Sequence, residues 1–178
     1  MTTLPFRPDG WTVDDLDELP DDGYRYELID GALLVSPPPE LPHQYLTGRL
    51  VALLLGQLPE PYRAAPAPGL YFDRRNYRIP DVVVFRRERL AGGRLGPDDV
   101  LLAVEVVSPG SVRMDRVAKP AQYAAGGIRH LWRVELQPLE LVTHELADEV
   151  YRETGRYSED VDVTEPVPLR FRLPDLLT

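Results

Sequence analysis

A single carboxylate stands inside an otherwise apolar segment of this chain. The segment LLAVEVV (Leu101–Val107) holds Glu105 among six apolar residues. Removing an isolated ionised carboxylate from water costs several kcal/mol even after the surroundings relax. Glu105 therefore needs a partner, which can be an arginine, a hydrogen-bond network or a cation. Because the chain is rich in arginine, an ordinary ion pair is the alternative to a functional site.

A second acid begins another apolar segment. In RIPDVVVF, Asp81 follows Pro80 and precedes a run of valines. Alone it is unremarkable, because Pro-Asp often starts an element. Together, Asp81 and Glu105 indicate a divalent-metal site with oxygen ligands. Mg²⁺ suits such a site, since it takes one or two protein carboxylates and fills its other positions with water and phosphate oxygens.

The only lysine in the chain, Lys119, lies 14 residues after Glu105. The intervening SPGS at 108–111 contains proline and glycine, so the chain can turn back towards the acids. An ammonium there can orient a water molecule and stabilise charge on an attacked phosphate. Arginine is a poor replacement, because its charge is spread over a planar fork. The alternative is a stray lysine in an arginine-biased composition.

The elements that must position these side chains follow from periodicity and turn residues. The apolar runs DVVVF and VLLAVEVV predict strands covered on both faces, as in the middle of an α/β sheet. The predicted helices are Thr12–Leu19 with Thr12 as its N-cap, His43–Leu58, and RVAKPAQYAAGG, which Gly126 and Gly127 terminate. The other predicted strands are YRYELID and ALLVS, joined through a tight Asp30-Gly31 turn, then GLYFD, RHLWRVEL, LELVTHEL and further short strands towards the C-terminus.

Length and composition limit the classes of protein. The 178 residues suit one domain, spanning 1–178, and the absence of cysteine excludes disulfides, thiol nucleophiles and iron–sulfur clusters. No segment has the length and apolarity of a membrane span or a signal peptide, so we expect a soluble cytoplasmic protein. The three histidines show no metal-ligand spacing, and phosphate-binding glycine motifs are absent.

The net charge of −9 argues against a protein that coats nucleic acid through a general basic surface. Any contact with a phosphate backbone must come from a local patch. The candidate arginines, each with an ordinary solvated surface role as its alternative, are Arg74, Arg75, Arg78, Arg86, Arg87, Arg89, Arg113 and Arg116.

Four sequence blocks in order resemble a known family. They are YELIDGALL, PDVVVF, VEVVSPGS and DRVAKPAQYAAGGIRHLWRV, and the closing PLRFRLPDLL adds to them. The chain resembles the Uma-type family of restriction-endonuclease-like proteins, within the PD-(D/E)XK nuclease superfamily, roughly from Tyr24 to Val134. The order of the blocks is more specific than any single block.

The resemblance implies an α/β fold with a restriction-endonuclease-like core, in which helices flank a mixed β-sheet and extra strands lie near both termini. It also implies hydrolysis of phosphodiester bonds in DNA by a Mg²⁺-dependent endonuclease, with Mn²⁺ as a substitute ion. A homodimer is implied by the resemblance alone, since cleavage of both strands benefits from two sites.

The resemblance also assigns residues. Asp81 matches the motif aspartate and Glu105 the acid on the next core strand, and these two are the implied metal ligands. The usual superfamily lysine would stand at Val107, so its role passes to Lys119 on the following helix. Glu27 matches an upstream acid that joins the catalytic set, with an ordinary hairpin residue as the alternative.

Three further positions bear on the implied site. His43 opens a helix near the same end, and Tyr123 lies one helical turn after Lys119, where packing is the more ordinary role. Pro120 directly follows Lys119, and proline is tolerated only in the first turn of a helix. The helix must therefore begin near Ala118, or Lys119 must lie at a bend.

Two other functions remain open on the sequence. A non-catalytic nuclease-fold protein, acting as a binding or regulatory protein, would suit the acidic balance. It would not explain a buried acid at Glu105 together with Asp81 and Lys119. A hydrolase acting on another phosphoester is the third alternative.

Overall fold

The computed structural model describes residues 7–108 and 114–178. Within them, the α-helices are α1 (Leu41–Gln57) and α2 (Lys119–Ala125), and a π-helical turn (Met114–Ala118) directly precedes α2. Short 3₁₀ helices span Asp15–Glu18, Arg87–Ala91, Pro97–Asp99 and Leu173–Leu177. The strands are β1 (Arg25–Ile29), β2 (Ala32–Ser36), β3 (Tyr62–Pro66), β4 (Leu70–Asp73), β5 (Asn76–Arg78), β6 (Val82–Arg86), β7 (Val100–Val107), β8 (His130–Leu136), β9 (Leu139–Ala147), β10 (Val150–Tyr157), β11 (Asp160–Val163) and β12 (Leu169–Arg172).

A six-stranded mixed sheet forms the centre of the fold, in the order β10-β9-β8-β7-β6-β3. Strands β7 and β8 pair in parallel, whereas the other neighbours are antiparallel. A parallel pair needs a crossover connection, which here contains the π-helical turn and α2. Strands β2-β1-β5-β4 form a second sheet, and β11 pairs with β12. The predicted mixed sheet with flanking helices and additional strands near both termini is therefore confirmed.

Both faces of the central strands are covered, as their continuous apolar runs predict. One face of β7 packs with α1, where Val104 shares an apolar cluster with Leu46 and Leu50. The opposite face packs with α2, where Ala103 shares a second cluster with Tyr123. Alternate residues of one strand point to opposite faces. Glu105 therefore lies on the face that α2 covers.

Several local predictions agree with the structure. Asp30 and Gly31 have φ values of 50° and 81°, and positive φ at both central residues is what a type I′ hairpin turn requires. The helix predicted over His43–Leu58 extends over Leu41–Gln57, with Pro42 in its first turn. The strand predicted as VLLAVEVV has the bounds of β7.

Two helix predictions need correction. Instead of a helix over Thr12–Leu19, only the 3₁₀ turn Asp15–Glu18 forms, and it buries no residue. The Thr12 amide and hydroxyl donate to the Asp15 carboxylate, so Thr12 does not cap a helix. The segment predicted as one helix after Glu105 is divided between the π-helical turn and α2. Helix α2 begins at Lys119 with Ala118 as its N-cap, which places Pro120 in the first turn, where proline is tolerated.

Strands β3 and β5 were not predicted, because both are short and carry no clear alternation. Of the predicted turn at 108–111, the structure describes only Ser108. Arg113 also lies outside the described residues. No helix within 7–108 and 114–178 is long and apolar enough to cross a membrane.

Candidate active site

The pairing of β6 with β7 brings the two predicted acids together. Val82 pairs with Val104, so Asp81 and Glu105 are the next opposing residues of this antiparallel ladder. Asp81 lies just outside β6, and its Oδ2 accepts a hydrogen bond from the Val106 amide at 2.9 Å. Both acids are buried, with Glu105 0% exposed.

Glu105 has two partners on α2. Lys119 Nζ donates to its Oε2 at 2.7 Å, and the Tyr123 hydroxyl donates to its Oε1. Lys119 and Tyr123 are four residues apart, so they lie on one face of the helix. The alternative of an arginine partner for Glu105 is wrong in the described part of the chain, because the cation in contact with it is Lys119.

Asp115 is a member of the site that sequence reasoning missed. It is buried in the π-helical turn, and its Oδ1 lies 3.2 Å from Lys119 Nζ. The spacing of four residues before the only lysine was a usable signal, since it places both side chains on one helical face. Lys119 is therefore held between two carboxylates.

Asp81 is held from two further elements. Arg25 of β1 donates from Nη1 to Oδ1 at 2.9 Å, and His43 Nε2 lies 3.1 Å from Oδ2. His43 is buried in the first turn of α1. The structure places His43 near the acids, as predicted. The contact of Arg25 with Asp81 was not predicted.

Glu27 joins the same region from β1. It is buried, and its Oε1 accepts a hydrogen bond from the Ile79 amide at 3.0 Å. Because Arg25 and Glu27 are two residues apart on one strand, both point to the same face. Glu27 is therefore a buried residue on the same face of β1 as Arg25, and its part in the catalytic set stays a prediction.

These side chains surround a cavity of about 430 Å³. Glu105 is fully buried and is not among the described residues that line this cavity. The polar residues of the wall that matter here are Arg25, Glu27, His43, Asp81, Asp115 and Lys119.

The surroundings shift the pKa of Glu105, Asp81 and Lys119. Burial raises the pKa of Glu105 well above its ordinary value, although the neighbouring Lys119 charge opposes this. Burial would raise the pKa of Asp81, but the hydrogen bond with His43 and the charge of Lys119 outweigh it and lower that pKa. Burial would lower the pKa of Lys119, but the charges of Glu105 and Glu27 outweigh it and raise that pKa. Lys119 therefore keeps its proton at neutral pH and cannot act as a base.

Acids outnumber permanent cations among the described residues of the cavity wall. The described wall carries the acids Glu27, Glu40, Asp81 and Asp115 and the permanent cations Arg25 and Lys119. No group of three or more His, Asp or Glu side chains in this part of the chain could hold a metal ion by itself. The donor set fits an ion such as Mg²⁺, which uses one or two carboxylates and completes its shell with water and phosphate.

Most of the arginines proposed to contact a phosphate backbone have other partners in the structure. Arg78 is wrong as a surface contact, because it is buried and its Nε donates to Gln122. Several others already pair with acids: Arg74 with Asp14, Arg87 with Glu60, Arg89 with Asp99 and Arg116 with Glu135. The local basic patch is therefore largely neutralised.

The mixed sheet, its α2 crossover and the acids just before β6 and within β7 define a restriction-endonuclease-like protein. The chain belongs to the Uma2 family, described as "putative restriction endonuclease", whose model matches residues 13–174. This confirms the resemblance found in the sequence.

A solved structure has the same fold. It is the crystal structure of a "putative nuclease belonging to DUF820" from Anabaena variabilis, with 20% sequence identity and a TM-score of 0.71. The match covers 93% of this chain and 97% of that one. A comparison with curated proteins gives no match.

Proposed function

We propose that this protein is a metal-dependent DNA endonuclease that hydrolyses phosphodiester bonds. The observation that carries the proposal is the buried pair Asp81 and Glu105, which oppose each other across β6 and β7 beside the only lysine. Family membership supports a nuclease in general. The metal, the DNA substrate and the roles of the residues are our proposal.

In this proposal, Asp81 and Glu105 hold a Mg²⁺ ion, for which Mn²⁺ can substitute. A bound divalent ion supplies Lewis-acid polarisation of a phosphoryl oxygen and a more acidic water. Glu27 orients water in the cavity through the oxygen that Ile79 does not use. Lys119 keeps its positive charge and offsets the negative charge that builds on the phosphate.

A second candidate function is a non-catalytic nuclease-fold binding protein. One observation favours it. Both oxygens of Asp81 and both oxygens of Glu105 already have partners within the protein. A site that never binds metal would have this appearance. The acids of the described cavity wall nevertheless outnumber its permanent cations, which supports a metal-binding site.

The test is cleavage of supercoiled plasmid with Mg²⁺ or Mn²⁺, combined with calorimetric titration of Mn²⁺. We expect nicking that a chelator abolishes, together with saturable Mn²⁺ binding. Asp81→Asn and Glu105→Gln should each lose that binding and lower the cleavage rate by about 10²-fold or more, as expected when a group that stabilises the transition state is removed.

The matched control is Asp148→Asn, which changes the same charge at an exposed residue on the β9–β10 turn that pairs with Arg152. It should cleave as the wild type does. If the wild-type protein binds DNA but neither binds Mn²⁺ nor nicks plasmid, the endonuclease proposal fails and the non-catalytic function replaces it. The homodimer, the cytoplasmic location and the single domain stay predictions.

A further inference from the structure

Arg25 differs from the other permanent cation of the cavity wall. Among the described wall residues, only Arg25 and Lys119 carry a permanent positive charge. Lys119 is fixed by Glu105 and Asp115, and its side chain is 8% exposed. Arg25 is 23% exposed and contacts Asp81 through a single nitrogen, Nη1. A guanidinium has five N–H donors, and the hydrogen bond of Arg25 to Asp81 uses one of them.

Arg25 contacts the Asp81 oxygen that has fewer hydrogen-bond partners. Oδ2 of Asp81 interacts with both His43 and the Val106 amide. Oδ1 accepts only from Arg25 among the described residues. A metal ion that approaches Asp81 therefore meets Arg25 as a competing cation at Oδ1, and two cations so close repel each other.

We propose that Arg25 binds a phosphate group of the nucleic-acid backbone, and that Asp81 holds Arg25 until a divalent cation takes its place at Oδ1. This inference rests on the proposed function. A planar guanidinium can form paired hydrogen bonds with two phosphate oxygens. Arg25 contacts Asp81 through one nitrogen, so its other N–H groups remain available for such a pair. Arg25 thus keeps Asp81 neutralised when metal and substrate are absent, and it contacts the substrate when both are present.

The inference predicts opposite effects of one substitution. Arg25→Gln removes the competing charge, so Mn²⁺ affinity by calorimetry should rise about tenfold, the factor that corresponds to 1.4 kcal/mol. The same variant should bind a phosphorothioate duplex about tenfold more weakly when Mn²⁺ is present. A purely structural role for Arg25 would lower both affinities together.

Arg25→Lys separates charge from geometry. It keeps a positive charge near Asp81, so its Mn²⁺ affinity should stay near that of the wild type. It cannot form the paired hydrogen bonds, so its duplex affinity should fall as in Arg25→Gln. Arg63→Gln is the matched control, because Arg63 has a similar exposure and pairs with Glu60 away from the cavity. Both of its affinities should equal those of the wild type.

The results distinguish this inference from the proposed function. If the wild type binds no Mn²⁺, both the metal-dependent function and this inference are overturned. If the wild type binds Mn²⁺ but Arg25→Gln binds it equally or more weakly, only the inference about Arg25 is overturned. Unchanged duplex binding by both Arg25 variants would also overturn it.

Discussion

Lys119 shows at the residue scale why a chain rich in arginine keeps one lysine. Its single nitrogen lies 2.7 Å from Glu105 and 3.2 Å from Asp115 inside a buried space. A compact ammonium can serve both oxygens at once, whereas a planar guanidinium needs more room and a different geometry. The contact of Lys119 with two buried acids also means that its removal affects folding as well as chemistry.

We predict that Lys119→Met lowers the free energy of unfolding by about 3–5 kcal/mol, because it leaves buried acids without their cation. The measurement is urea unfolding at neutral pH. The double variant Lys119→Met with Glu105→Gln should recover part of this loss, since the amide needs no cation. Both variants, and Lys119→Arg, should lack plasmid cleavage.

The double variant shows whether Lys119 and Glu105 are energetically coupled. If the losses from Lys119→Met and Glu105→Gln simply add, the two residues do not share one charge balance. If Lys119→Met cleaves plasmid as fast as the wild type, Lys119 has no part in the proposed site.

At the element scale, α2 is aligned by its packing against β4. Phe72 of β4 stacks on Tyr123 with ring centroids 5.9 Å apart and an interplanar angle of 3°. Gly126, which ends α2, lies against the same Phe72 ring. Because Tyr123 donates to Glu105, this packing connects the end of the helix to the acid of the site.

We predict that Gly126→Ala destabilises the protein by about 1–3 kcal/mol, as overpacking does in a close-packed interior. A Cβ at this position would lie 2.6 Å from Phe72 Cε1 and 3.2 Å from Pro97 Cγ. Gly48→Ala is the matched control in α1, where a Cβ meets no atom within 4 Å. It should stabilise the helix by about 0.5–1 kcal/mol. Thermal unfolding of the two variants should therefore move in opposite directions, and equal shifts would contradict the packing argument.

At the scale of the whole molecule, the charge distribution limits how DNA can bind. The net charge is −9, and many exposed arginines already pair with acids. Affinity from neutralised phosphates is therefore small. In the proposed function, productive binding comes from the cavity, where a divalent cation would offset the negative charge of the carboxylates.

We predict that a labelled DNA duplex binds weakly in the presence of a chelator, with a Kd above about 10⁻⁶ M at physiological salt, which lies in the range of non-specific binding. Adding Mn²⁺ should strengthen binding of a phosphorothioate duplex at least about tenfold, because the cation bridges carboxylates and phosphate. Fluorescence anisotropy measures both values. Tight binding in chelator, unchanged by Mn²⁺, would favour the non-catalytic alternative.

The sequence by itself determined many of the local elements and showed that Glu105 needs a partner. The nearly continuous apolar run defined β7 because a strand covered on both faces consists mainly of apolar residues. Asp30-Gly31 defined the hairpin because few residues adopt positive φ. The cost of burying a carboxylate then required a partner for Glu105, and the spacing of the only lysine indicated which residue it is.

Only the tertiary structure decided the remaining partners. Arg25 and His43 reach Asp81 across 56 and 38 residues of chain, and no local pattern encodes such distances. Arg78 reads as one of many surface arginines, yet packing between β5 and α2 buries it. Local periodicity states which face of an element is buried. Which polar side chains meet across that face depends on how the sheets and helices pack, and that follows from the summed contacts of the whole chain.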